Sequence, residues 1–136
     1  MDKSLPTEAE EQKALVQWLN IKHILHFAPI NENNHSKLNR QFSIRNEAKA
    51  KAMGKVAGVC DMVVFLEEKI LFIELKRKKK LLKNGTYSTS HTSTSESQKK
   101  FIGNANRFDY VESKVCYGWE EAKEFIETYR QKVKNL

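Results

Sequence analysis

The segment Val59–Lys76 constrains the fold more than any other part of the chain. It holds two runs rich in Val, Ile, Leu and Phe, Val59–Leu66 and Ile70–Lys76, separated only by Glu67, Glu68 and Lys69. Runs of this composition and length read as strands. A connection so short joins antiparallel neighbours, because parallel strands need a long crossover. With Glu67-Glu68 as the turn, Leu66 pairs with Lys69, and counting back sets Asp61 directly opposite Glu74. The strand period of two puts Glu74 and Lys76 on one face and Leu75 on the other. A slip of one residue would separate the two acids, so the register carries the inference.

The flanking sequence predicts helices around this hairpin. Thr7 is a good N-cap, and Glu10 three residues later completes a capping box, so a helix starts at Glu8. Leu15, Trp18 and Leu19 recur at helical spacing, and the helix ends near Lys22. Glu8, Gln12, Leu15 and Leu19 share one face, with Glu11 beside it. Ile24–Pro29 reads as a short strand stopped by Pro29. Asn31–Asn39 is a polar turn region, and Ile44–Met53 is rich in helix formers. Gly54 and Gly58 mark a bend before the hairpin.

Beyond the hairpin, Arg77–Ser95 begins as a charge run and continues as a Ser/Thr/Gly-rich exposed loop, turning at Asn84-Gly85. Ser95 caps a helix over Glu96–Arg107 that buries Phe101 and Ala105. A strand within Tyr110–Tyr117 ends at Gly118. Trp119–Val133 forms the last helix, with Ala122, Phe125, Ile126 and Tyr129 at packing positions. Helices alternating with strands in this order imply an α/β chain with a mixed sheet. At 136 residues, 1–136 is expected to be one domain.

Charge narrows the partners. The formal net charge is +7, with basic residues concentrated between Lys37 and Lys55 and between Lys76 and Lys83. A basic chain of this size favours polyanions, chiefly nucleic acid. Arg77, Lys78, Lys79, Lys80 and Lys83 form the first expected phosphate-binding patch, and Arg45, Lys49 and Lys55 belong to a second basic stretch that includes Arg40 and Lys51. The alternative for each is a solvated face, and the position of the first directly after the candidate active strand favours DNA binding there. Cys60 and Cys116 lie in separate apolar runs and read as buried free thiols. The N-terminal residues lack a secretory pattern, and no apolar stretch has the length of a membrane span, so a reducing, cytoplasmic setting and no membrane partner are expected. His35 and His91 have no ligand-spaced partners, which argues against zinc and against a paired-histidine nuclease. Trp18 and Trp119 read as packing residues, and Lys3 as a surface residue.

Two carboxylates facing each other across a hairpin suit a hard divalent cation such as Mg²⁺, which binds through a few carboxylates, carbonyls and waters. Asp61 and Glu74 supply the carboxylates, and the Leu75 carbonyl is a further candidate ligand. Lys76, on the same face, can orient a water and stabilise negative charge at phosphorus. The plainer alternative is a surface Glu74–Lys76 ion pair of little energetic value. The apolar run ILFI before Glu74 favours the first reading, because it places the charges at the end of a central strand.

The glycine-rich approach, CDMVVF, the short turn and ILFIELK together resemble the VRR-Nuc family of the PD-(D/E)xK nuclease superfamily. Ser95-Glu96-Ser97-Gln98 fits the family's downstream Ser-x-x-Gln, and Glu8 with Gln12 has the spacing of an upstream helical motif, with Glu11 a close rival. The ending VCYGWEEAKEFI is also similar. The family commonly carries Pro where this chain has Cys60. The resemblance implies a restriction-endonuclease-like mixed β-sheet with a central hairpin flanked by helices. It implies Asp61, Glu74, the Leu75 carbonyl and Glu8 as metal ligands, Lys76 acting on the nucleophilic water, and Gln98 orienting the site. It further implies an Mg²⁺-dependent deoxyribonuclease, with Mn²⁺ as a substitute, acting on branched or junction DNA as a homodimer in a bacterial or phage-infected cell. The rival is a non-catalytic nucleic-acid-binding module that uses the 76–83 patch.

Overall fold

The computed structural model describes residues 5–30, 40–87 and 93–134, with side chains at 40–44 and 131–134 outside that description. Lys3, His35, His91 and the polar segment 31–39 therefore lie outside the described residues, as does 88–92 of the Ser/Thr-rich loop. The elements in chain order are α1 (Glu8–Ile21), β1 (His26–Phe27), α2 (Arg40–Ala52), β2 (Met62–Phe65), β3 (Ile70–Lys76), α3 (Glu96–Ala105), β4 (Val111–Tyr117) and α4 (Trp119–Lys134).

The strands form one sheet in the order β1-β2-β3-β4. β1 and β3 both run antiparallel to β2, while β3 and β4 are parallel and connected through α3. The hairpin register is the one its turn length predicts: Phe65 pairs with Ile70 and Met62 with Ile73, and Leu66 N–H donates to Lys69 O at 2.8 Å.

Strand alternation sorts β3 into two faces. Leu71, Ile73 and Leu75 enter the main core with Leu15, Leu19, Met62, Val64, Cys116, Ala122 and Ile126, which places α1 and α4 on that side. Phe72 stacks on Phe101 of α3 with ring centroids 5.6 Å apart, so α3 covers the other side. Glu74 and Lys76 follow Phe72 at two-residue steps and share its face. A mixed sheet between helices in this arrangement is restriction-endonuclease-like.

Both predicted caps are present, with reciprocal capping boxes at Thr7/Glu10 and Ser95/Gln98. α1 stops without glycine: His23 takes the left-handed conformation at φ 56°, and Ile24 N–H reaches back to Leu19 O at 3.0 Å. α3 ends at Ala105, two residues before the expected Arg107, and three boundaries differ further. β1 is two residues rather than the six of Ile24–Pro29: His26 and Phe27 pair with Val64 and Val63 of β2, and before them the bond from Phe65 N–H to Leu25 O at 2.9 Å begins the contact. α2 begins at Arg40, four residues before the Ile44 start expected from composition. β2 begins at Met62 rather than Val59, for a reason that belongs to the site. Among the described residues, no helix is long and apolar enough to cross a membrane. Cys60 and Cys116 are buried free thiols, both pushed up to about 12 chiefly by burial.

Candidate active site

The ladder between β2 and β3 ends where Asp61 intervenes. On the established register, Leu75 N–H would pair with the Cys60 carbonyl. It donates instead to Asp61 Oδ2 at 2.8 Å, while Asp61 N–H reaches Ile73 O at 3.0 Å. A side chain thus replaces a backbone rung and fixes the Asp61 carboxylate beside β3. Since N–H and C=O of one strand residue point to the same side, the Leu75 carbonyl also faces the Asp61 side.

Glu74 is 4% exposed. Burial, then the Asp61 carboxylate, push its carboxyl up to about 8, with Glu8 adding to the rise and Lys76 opposing it. Lys76 Nζ lies 3.7 Å from Glu74 Oε1 and donates to Gln98 Oε1 at 3.2 Å. Gln98 Nε2 donates to Glu74 Oε1 at 2.7 Å.

The orientation of the Gln98 amide follows from its surroundings. As the third residue of α3 it closes the capping box, and its Oε1 accepts from Ser95 N–H at 3.0 Å. That oxygen also receives the Lys76 ammonium, so the amide nitrogen is left for Glu74. The first turn of α3 is therefore a structural part of the site. It is held there by Gly58, at φ +77°, where a Cβ would collide with the Ser97 carbonyl and Gln98 N. Gly58 was visible in the sequence as a bend, but its contact with α3 was not.

The other predicted site residues distribute as follows. Glu8 is exposed at the start of α1, near enough for its charge to be felt at Glu74. Glu11 is 1% exposed and belongs to the opposite side, against Gly118 and Lys78, with its Oε2 lacking a hydrogen bond. The basic run divides in two. Arg77 donates to Pro6 O at 3.0 Å and Leu5 O at 3.1 Å, tying the chain before α1 to the end of β3. Lys78 pairs with Glu120 at 3.0 Å, and that bond raises its pKa. Lys79 sits 4.2 Å from the Tyr117 ring centre. Lys80 and Lys83 are on the exposed ribbon that turns at Gly85, where Gly85 N–H donates to Leu82 O at 3.0 Å. Arg45 and Lys49 are exposed on α2, and Lys55 pairs with Glu47 at 3.0 Å. Arg77 and Lys78 thus have structural partners within the chain that spacing alone did not reveal.

Among the described residues, no group of three or more His, Cys, Asp or Glu side chains is gathered to hold a metal ion. That set would be needed for a fully protein-ligated ion. Mg²⁺ retains several waters and needs only one or two carboxylates. Asp61 and Glu74 fit that demand: they are oxygen donors, one half-buried and one buried, whose mutual repulsion a cation would relieve. Asp61 Oδ2 and Glu74 Oε1 are held by the scaffold.

No protein-family model and no curated protein matches the chain. Among solved structures, the chain is similar to one described as a "VRR_NUC domain protein". The TM-score is 0.61 at 20% sequence identity, and the match covers 93% of this chain and 89% of that one. The two share a fold. At this identity the fold is what the likeness shows, and the chemistry rests on the residues just described.

Proposed function

We propose that this chain is a metal-dependent endonuclease that hydrolyses DNA phosphodiester bonds, with branched or junction DNA as its preferred substrate. The observation that carries the reading is the Asp61–Glu74 carboxylate pair, with Glu74 buried beside Lys76 and braced by Gln98. The fold shared with a VRR_NUC domain protein supports it.

Asp61 and Glu74 would hold Mg²⁺ or Mn²⁺, with the Leu75 carbonyl as a further ligand and Glu8 acting through water. A bound ion of this kind supplies an acidified water and charge neutralisation at phosphorus. Lys76 supplies a fixed ammonium beside the pair. Its link to Gln98 keeps it there rather than in bulk water, so it meets developing negative charge without reorganising. Gln98 is a positioning residue, because it orders Glu74 and Lys76. Exposed Lys79, Lys80, Lys83, Arg45 and Lys49 provide phosphate contacts without base specificity. Two copies acting together would account for paired cuts.

Plasmid and four-way-junction cleavage with Mg²⁺, against EDTA, Asp61→Ala and Lys76→Ala, tests the proposal. Loss of cutting in all three controls is expected. Cutting that survives Asp61→Ala refutes the site. Binding without cutting of any plasmid, single-stranded, flap or junction substrate establishes the binding-module alternative.

A further inference from the structure

On the α3 side of the sheet, a groove of about 660 Å³ runs from the first turn of α3 to the chain before β4. Its floor is Ile70 and Phe72, and Phe101 and Val56 form its walls. Phe108 and Tyr110 line its outer end with ring centroids 5.7 Å apart, and each is about half exposed at 52% and 55%. Exposed aromatic rings in a basic chain need an explanation, since the surrounding core does not require them.

The groove is continuous with the candidate site. Phe72 and Glu74 are alternate residues on one face of β3, about 7 Å apart along the strand. Ser97 lines the groove, and its neighbour Gln98 binds Glu74. Gly58 packs against the backbone of Ser97 and Gln98 where the groove meets the site. Beside the Ser97 and Tyr110 hydroxyls, the groove holds Lys100, which can meet a phosphate, and Asn104, whose amide can both donate and accept. Flat aromatic faces, one cation and one amide match a nucleotide better than an aliphatic ligand or a duplex surface. A base can enter only if it is unstacked from its neighbours.

We propose that this groove is a subsite for one unstacked nucleobase of the strand being cut, adjacent to the scissile phosphate. The inference rests on the proposed nuclease function and deepens it. It gives a physical source for preference towards flap, junction or single-stranded DNA, where unstacking costs least. The base stacks on Phe108 and Tyr110, Lys100 contacts its phosphate, and the backbone crosses the Gly58 seam to reach Asp61 and Glu74.

The test uses the full chain in EDTA with single-stranded oligonucleotides carrying 2-aminopurine at one position at a time. Fluorescence quenching should occur at one register position. It should disappear in the double variant Phe108→Ala/Tyr110→Ala and return with Tyr110→Phe in place of Tyr110→Ala. An abasic nucleotide at the quenched position should weaken binding to the wild type about tenfold and leave the double variant unaffected. Uniform quenching, or equal abasic discrimination by wild type and a folded double variant, overturns the subsite. Both side chains are exposed, so circular dichroism is expected to report an intact fold, and Lys100→Ala gives an independent arm with weaker binding at the same register. Mg²⁺-dependent cleavage is scored separately. Cutting without register-specific quenching sinks the subsite alone, whereas quenching without cutting sinks the nuclease reading and leaves a base-binding groove.

Discussion

Glu74 should make the metal-free protein less stable as pH rises, which is the reverse of ordinary carboxylate behaviour. Its folded-state pKa stands above its normal value, raised from 4.5 to about 8 by burial and then by Asp61. The stability contribution of such a group is complete below about 4.5 and is lost as pH rises through about 8. The full difference between protonation states corresponds to at most about 5 kcal/mol. Over the window from pH 5.5 to 9, which starts above the unfolded value, the loss realised is about 3 kcal/mol. For a chain of this size that is on the order of 10 °C in Tm. Glu74→Gln keeps an oxygen for the Gln98 amide and removes the titration. Thermal denaturation in EDTA should therefore give wild-type and variant curves that diverge with pH, the variant being more stable at pH 9. Mg²⁺ should restore the wild type at pH 9 and leave the variant nearly unchanged, because the cation takes the place of the proton. Curves that run parallel from pH 5.5 to 9 would refute the account of a strained acid pair.

Three further outcomes are expected. Gly58→Ala should cost about 3 kcal/mol in urea unfolding, since φ +77° and the collision with Ser97 both oppose a side chain; a loss below about 1 kcal/mol would remove Gly58 from its assigned role. Cys60 and Cys116, with thiols pushed up to about 12, should resist a disulfide reagent at pH 8 until the chain unfolds, and labelling of the native protein within minutes would contradict their burial. Arg77→Ala should lower stability by about 1 kcal/mol through its lost carbonyl contacts, whereas Lys49→Ala with Lys83→Ala should leave Tm unchanged and reduce the salt slope of DNA binding by about 2; a reversal of those two patterns would reverse the division of the basic residues.

The hairpin was legible because two local rules agreed. A short connection set the register, and the period of two sorted Glu74, Leu75 and Lys76 between faces. The caps at Thr7 and Ser95 were equally local, since each is closed within three residues. What escaped the sequence was long-range. Arg77 bonds to Leu5 and Pro6, some seventy positions away, and a charge run gives no sign of such partners. Lys78 finds Glu120 for the same reason. The early end of β2 was hidden because Asp61 substitutes a side-chain oxygen for a backbone rung, which strand propensity does not register. Helical spacing put Glu8 and Glu11 near each other on α1, but only the packing of α1 against α4 and the sheet separates a buried Glu11 from a Glu8 felt at Glu74. The groove needed α3 to be docked before its walls could be seen.

Gln98 ends one structure and begins another, and this has a kinetic consequence. The residue that closes the cap of α3 is the residue that steadies Glu74 and Lys76. Fraying of that helix by a single turn would therefore release Glu74 and Lys76 of the candidate site while leaving the sheet intact. If the proposed site takes a metal ion, amide exchange at Gln98 and Lys99, whose N–H groups bond to Ser95, should slow when the ion is added.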